Sequence, residues 1–114
     1  MTLTEGKIAE INEILNKMNE EGKVAGGLLK IDGTMVKTTL ALNDIAPALI
    51  SRIANISDAL LREVGDKQKE IEMTSGSDTL VIVRIGNYLF FGLAKSKEDK
   101  KTIIDYAKKL ESVL

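Results

Sequence analysis

The sequence predicts an α/β (α+β) chain built on one antiparallel five-stranded sheet with helices on both faces, in the order α-β-β-α-β-β-β-α. Three observations carry this. Asp32-Gly33 and Gly86-Asn87 are tight-hairpin dipeptides, each set between two strand-like runs. The runs around the second, 79–85 and 88–94, are apolar on nearly every residue, which is the pattern of strands covered on both faces. Three stretches of helical period, 5–21, 44–64 and 97–113, are available to cover them.

The elements follow in order. Over 5–21, Ile8, Ile11, Leu15 and Met18 recur three or four apart, with Ile14 widening the stripe, and Gly22 fits a helix stop. Runs 24–31 and 34–41 read as strands joined by a two-residue turn at Asp32-Gly33, with positive φ expected at both turn positions. The helix at 44–64 is capped by Asn43, carries Pro47 in its first turn and ends at Gly65. It has two apolar stripes. One is Ile45, Leu49, Ile53, Ile56, Leu60 and Val64; the other is Ala46, Ile50, Ala54 and Leu61, with Ser57 between. One stripe is enough to seat a helix on a sheet, so the second asks for a further partner. Residues 68–75 alternate through Ile71 and Met73, as a half-exposed edge strand does. A turn at 75–78 leads into the apolar hairpin. Ser96 then caps the last helix, with Asp99 where a capping box places an acid, and Ile103, Ala107, Leu110 and Leu114 form its core stripe.

Composition narrows the function. At 114 residues the chain is the size of one domain, 1–114, and buries a core without disulfide or metal. It has no histidine and no cysteine. That removes the usual general base, the thiol nucleophile and the ordinary zinc site. Sixteen basic and seventeen acidic residues nearly cancel, without the basic excess of a nucleic-acid binder. No apolar run has the length of a membrane span, and the first residues lack a signal peptide's apolar centre. A cytoplasmic protein without membrane insertion is expected. The Asn55-Ile56-Ser57 glycosylation spacing is then a coincidence.

Gly26 and Gly27 near a lysine raise the question of a phosphate loop. Such a loop needs Gly-x4-Gly-Lys-Ser/Thr at a strand-to-helix turn, whereas these glycines fall inside a strand followed by another strand. They are expected to thin that strand so that a helix lies close above it. Asp32, Asp44 and Asp78 occupy turn or cap positions that suit aspartate structurally, so no catalytic pair is assigned. Lys95, Lys97, Lys100 and Lys101 form a basic cluster interrupted by Glu98 and Asp99, the pattern of a solvated helix face. Arg84 closes an apolar strand, either as an interface anchor or as a residue reaching out at the sheet end. No catalytic, cofactor-binding or metal-ligating residue is named, and no cofactor is expected.

The stretch Gly27-Leu28-Leu29-Lys30-Ile31-Asp32-Gly33, the long alanine-rich helix after the first hairpin, and the apolar hairpin leading into a terminal helix together resemble the Roadblock family of dynein light chains and small-GTPase regulators. The order of elements matches over nearly the whole chain. Relatives often carry a longer Asp-x-Asp-Gly turn where this chain has the bare Asp32-Gly33. The resemblance implies strand order 2-1-5-4-3 in a profilin/longin-like arrangement. It also implies a homodimer, or a heterodimer with a sister Roadblock domain, in which the long helix packs on its copy and the middle strand extends the sheet. On that basis the expected dimer interface is Ile50, Ala54, Ser57, Leu61, Ile71 and Met73. The implied function is a non-enzymatic regulator or partner of a small Ras-like GTPase. The alternative is a scaffold or motor-adaptor subunit that never meets one. A small-molecule sensor is a third reading, weakened by the scarcity of aromatic residues.

Overall fold

A computed structural model of the chain describes residues 3–65 and 69–114. Among these residues the chain forms α1 (Glu5–Glu20), β1 (Gly26–Lys30), β2 (Met35–Thr38), α2 (Ala46–Glu63), β3 (Glu70–Ser75), β4 (Asp78–Ile85), β5 (Tyr88–Ala94) and α3 (Lys97–Val113). The strands make one antiparallel sheet in the order β2-β1-β5-β4-β3. The strand expected over 68–75 is seen from Glu70; its first residue, Gln68, lies outside the described residues.

The doubly apolar strands are covered on both sides, as their composition demands. On one face Leu28, Val81, Ile85 and Phe90 pack under α1 and α3, which contribute Ile11, Leu15, Met18, Ile103, Ala107 and Leu110. On the other, Leu29, Ile82, Leu89 and Phe91 pack under Ile50 and Ala54 of α2.

The paired glycines fall in β1, between β2 and β5. A Cβ on Gly26 would run into the Phe91 carbonyl oxygen and lie 2.9 Å from Met18 Cε of α1; one on Gly27 would lie 2.6 Å from Lys37 O and from the Phe91 ring. The backbone of the paired strand β5 is thus what first requires glycine at 26, with Met18 of α1 close behind it, whereas Gly27 makes room for the β2 backbone and an aromatic ring on the α2 face.

Several local expectations are corrected. The first hairpin is not a two-residue turn with two positive φ angles. Lys30 N–H donates to Thr34 O at 2.8 Å, which leaves Ile31, Asp32 and Gly33 in the loop, and of these Gly33 alone has positive φ, at 96°. This is the three-residue hairpin, with glycine at the left-handed position. Asp32 contributes its side chain instead, accepting from Thr34 N–H at 2.9 Å. At Gly86-Asn87, likewise, Gly86 alone has positive φ, at 58°, as in a type II′ turn. Gly22 does not end α1 by adopting the left-handed region; Lys23 does, with φ 58°. Gly22 is needed for space, because a Cβ there would lie 2.8 Å from Met18 O and 2.9 Å from Thr102 Cγ2 of α3. β2 stops at Thr38, where that hydroxyl accepts from Leu40 N–H at 3.0 Å and bends the chain away. α2 starts at Ala46, later than Asp44, although Asn43 Oδ1 still accepts from Ala46 N–H at 3.1 Å.

Candidate protein-interaction surface

Helix α2 is fastened to the sheet by a narrow side. Of its residues, Ile50, Ser51 and Ala54 are buried. Small side chains at 51 and 54 let the helix backbone lie low over Leu29, Leu89 and Phe91. Polar contacts fix it at two points. Near its start, Ser51 Oγ donates to Ile31 O at 2.5 Å, and Asn55 Nδ2 donates to the same oxygen at 3.4 Å, tying the helix to the first hairpin loop. Toward its end, Asp58 Oδ2 accepts from Arg62 Nε at 3.0 Å and lies 3.4 Å from Nη1 of Arg84 on β4. Arg84 is thus neither an interface anchor nor a residue reaching into solvent. Its charge is spent holding α2 on the sheet.

The opposite side of α2 is apolar and open. Ile45 is 60%, Leu49 43%, Ile56 57%, Leu60 66% and Val64 76% exposed, and Ile53 on the same stripe is half-buried. Leaving so many large aliphatic side chains in water along one line is the mark of an interaction surface, since isolated exposed leucines are common but a continuous stripe is not.

The stripe seated on the sheet is the one that the sequence reading had given to a dimer interface. Ile50 and Ala54, expected at a dimer interface, are closed off inside the chain at 5% and 0% exposure. Ser57 and Leu61 are half-buried on the seated side, and the Ser57 hydroxyl donates to Ile53 O within the helix. Ile71 and Met73 are half-buried on β3, facing the α2 layer at the sheet's edge. A signal for the true orientation was present: Arg84 shares a face with Leu80 and Ile82, so the seated side of the covering helix must bring a carboxylate, and Asp58 lies on the side of Ala54.

The other singled-out groups are dispersed. Asp32 is exposed at its turn, and the Thr34 backbone N–H beside it holds its carboxyl below the usual range. Among the described residues, no three acidic side chains gather as a metal site would require. Of the basic cluster, Lys100 Nζ reaches Glu72 Oε2 of β3 at 2.6 Å and fastens α3 to the sheet edge. A half-open cleft of about 380 Å³, lined by Leu3, Lys7, Ile85, Tyr88, Glu111 and Leu114 among others, lies between the ends of α1 and α3 and the β4–β5 turn, and Tyr88 is its one aromatic wall. Among the described residues no helix is long and apolar enough to cross a membrane.

No family model matches the chain, and no curated protein matches it in sequence. Solved structures do match its shape. An MglB with a tetrameric arrangement and the gliding protein MglB from Thermus thermophilus each superpose with TM-score 0.81 at 16% identity. They cover 99% and 100% of this chain and 93% and 92% of their own. A Roadblock/LC7 domain from Streptomyces avermitilis superposes with TM-score 0.68 at 16% identity, over 90% of both chains. Profilin IB from Acanthamoeba castellanii follows at TM-score 0.61 and 18% identity, covering 91% of this chain and 92% of its own. At such identities what is shared is the arrangement of the backbone: the chain has the Roadblock fold, within the wider profilin-like architecture.

Proposed function

We propose that this chain is a non-enzymatic, self-associating Roadblock-type regulator or binding partner of a small Ras-like GTPase, working in the cytoplasm. The observation that carries self-association is the open aliphatic stripe of α2, which the described residues leave uncovered. The tetrameric arrangement of a structurally similar MglB supports the same reading. The GTPase assignment rests on the resemblance to the Roadblock family set out above. The absence of histidine and cysteine and the dispersed carboxylates favour a binding role over a chemical one.

The β3 edge, with Ile71 and Met73 half-covered beside it, is a second region where a copy could extend the sheet. The decisive experiment has two arms. Sedimentation reads the oligomeric state, with a dimer or higher assembly expected. Capture of small GTPases loaded with a GTP analogue or with GDP reads the partner, with binding that depends on the nucleotide expected. A stable assembly that binds no GTPase in either state instead supports the scaffold or adaptor reading.

A further inference from the structure

We infer that the cleft between the start of α1, the end of α3 and the β4–β5 turn binds a free α-amino acid with an apolar side chain. The cleft has a volume of about 380 Å³ and is half open to solvent. That lies toward the lower end of the roughly 300–1,000 Å³ of small-molecule sites and suits a ligand of few atoms. Leu3, Ile85, Tyr88 and Leu114 line it and offer apolar walls to an aliphatic or aromatic side chain. The cleft belongs to the α1/α3 face of the sheet, away from the α2 stripe. The inference therefore goes beyond the regulator proposed above and is tested apart from it.

Two further lining residues carry opposite charges, one from each helix: Lys7 of α1 and Glu111 of α3. No ion pair joins them, and neither has another ion-pair partner among the described residues. Each also stands where the dipole of its own helix disfavours it, a cation in the first turn of α1 and an anion in the last turn of α3. Helix stability alone would place the two charges the other way round. A zwitterion gives both a partner. Its carboxylate meets the Lys7 ammonium, its ammonium meets the Glu111 carboxylate, and its side chain enters between the apolar walls. A singly charged or neutral apolar ligand leaves at least one of the two unpaired. Lys7 is half-buried and Glu111 exposed, so Lys7 carries the larger share of the recognition.

Calorimetric titration of the intact chain with L-leucine and L-phenylalanine tests this, with amide NMR shifts to locate the site. Saturable binding of both at millimolar concentration or below is expected, with shifts centred on Lys7, Gly86 and Asn87. Isocaproate lacks leucine's ammonium, isoamylamine lacks its carboxylate and glycine lacks its side chain. Each should bind at least about tenfold more weakly. Lys7→Met and Glu111→Gln should each weaken leucine binding, Lys7→Met by the larger factor. No saturable binding of either amino acid at millimolar concentration overturns the inference. Isocaproate or isoamylamine binding as tightly as leucine also overturns it, as does leucine binding unchanged in both variants; the cleft then recognises no zwitterion. Circular dichroism checks that the variants fold, and the ligand series on the unaltered chain decides the matter should a variant fail to fold.

Discussion

Gly26 and Gly92 lie opposite each other across the β1–β5 pair, and the space above them is filled from the helices, by Met18 of α1 and Ile103 of α3. The two glycines differ in what surrounds them. An added methyl at Gly26 meets the Phe91 carbonyl and lies 3.0 Å from Gly92 Cα, so the backbones of two paired strands must separate. At Gly92 it meets only side-chain atoms of Ile103, at 2.7 and 2.8 Å. Overpacking of this kind costs about 1–3 kcal/mol. Gly26→Ala is expected at or above the top of that range and Gly92→Ala nearer the bottom. Urea unfolding midpoints give the order, and a larger loss for Gly92→Ala contradicts this account.

The Asp58–Arg84 pair joins α2 to β4 with its side chains 15% and 22% exposed. Removing the carboxylate strands a largely buried guanidinium, because Arg84 Nη1 has no hydrogen bond to replace it. Asp58→Ala is expected to cost about 1–3 kcal/mol. Arg84→Met together with Asp58→Ala should recover part of that loss, since an apolar pair carries no unpaired charge. The double-mutant cycle isolates the coupling; strict additivity means the pair does not hold the helix.

The architecture was legible because its cues are local and agree with one another. Hairpin dipeptides fixed the antiparallel neighbours, and the unbroken apolar runs at 79–85 and 88–94 required cover on both faces. Turn geometry was less legible. Asp32-Gly33 suits either a two- or a three-residue loop, and the choice depends on Lys30 pairing with Thr34, a contact between strands. Helix α2 was misread in orientation for a similar reason. Both of its stripes are apolar, and periodicity cannot say which one faces the sheet. That is decided by tertiary partners far along the chain, namely Ile31 for Ser51 and Arg84 for Asp58.

Those two sides of α2 should respond differently to the same chemical change. Ile50→Glu places a carboxylate among Leu29, Leu89 and Phe91 and is expected to unfold the protein, since a buried unpaired charge costs several kcal/mol. Leu60→Glu changes a residue that the isolated chain leaves two-thirds exposed. It should keep the circular dichroism and thermal transition of a folded chain, and abolish self-association in sedimentation. A Leu60→Glu protein that still assembles, or an Ile50→Glu protein as stable as the parent, would falsify this division of the helix.

The Lys100–Glu72 contact links α3 to the β3 edge and gives stability a dependence on alkaline pH. Its 2.6 Å hydrogen bond to Glu72 is the main cause that raises the Lys100 ammonium above its ordinary value of 10.5, with the charges of Glu72 and Glu70 assisting. A cation favoured in the folded state contributes fully below the unfolded value and is lost as pH rises through the higher folded one. Wild type and Lys100→Met should therefore differ by a constant amount from neutral pH up to about pH 10 and converge above the lysine range. Because both side chains are 40% exposed, added salt should shrink the neutral-pH difference as well. Urea midpoints for the two proteins across that range, each at low and high salt, provide the test. Taking the difference between them cancels the other lysines and the tyrosines, which titrate in both. A gap that persists unchanged above the lysine range, or that ignores salt, assigns the effect of Lys100 to its aliphatic stem rather than to its charge.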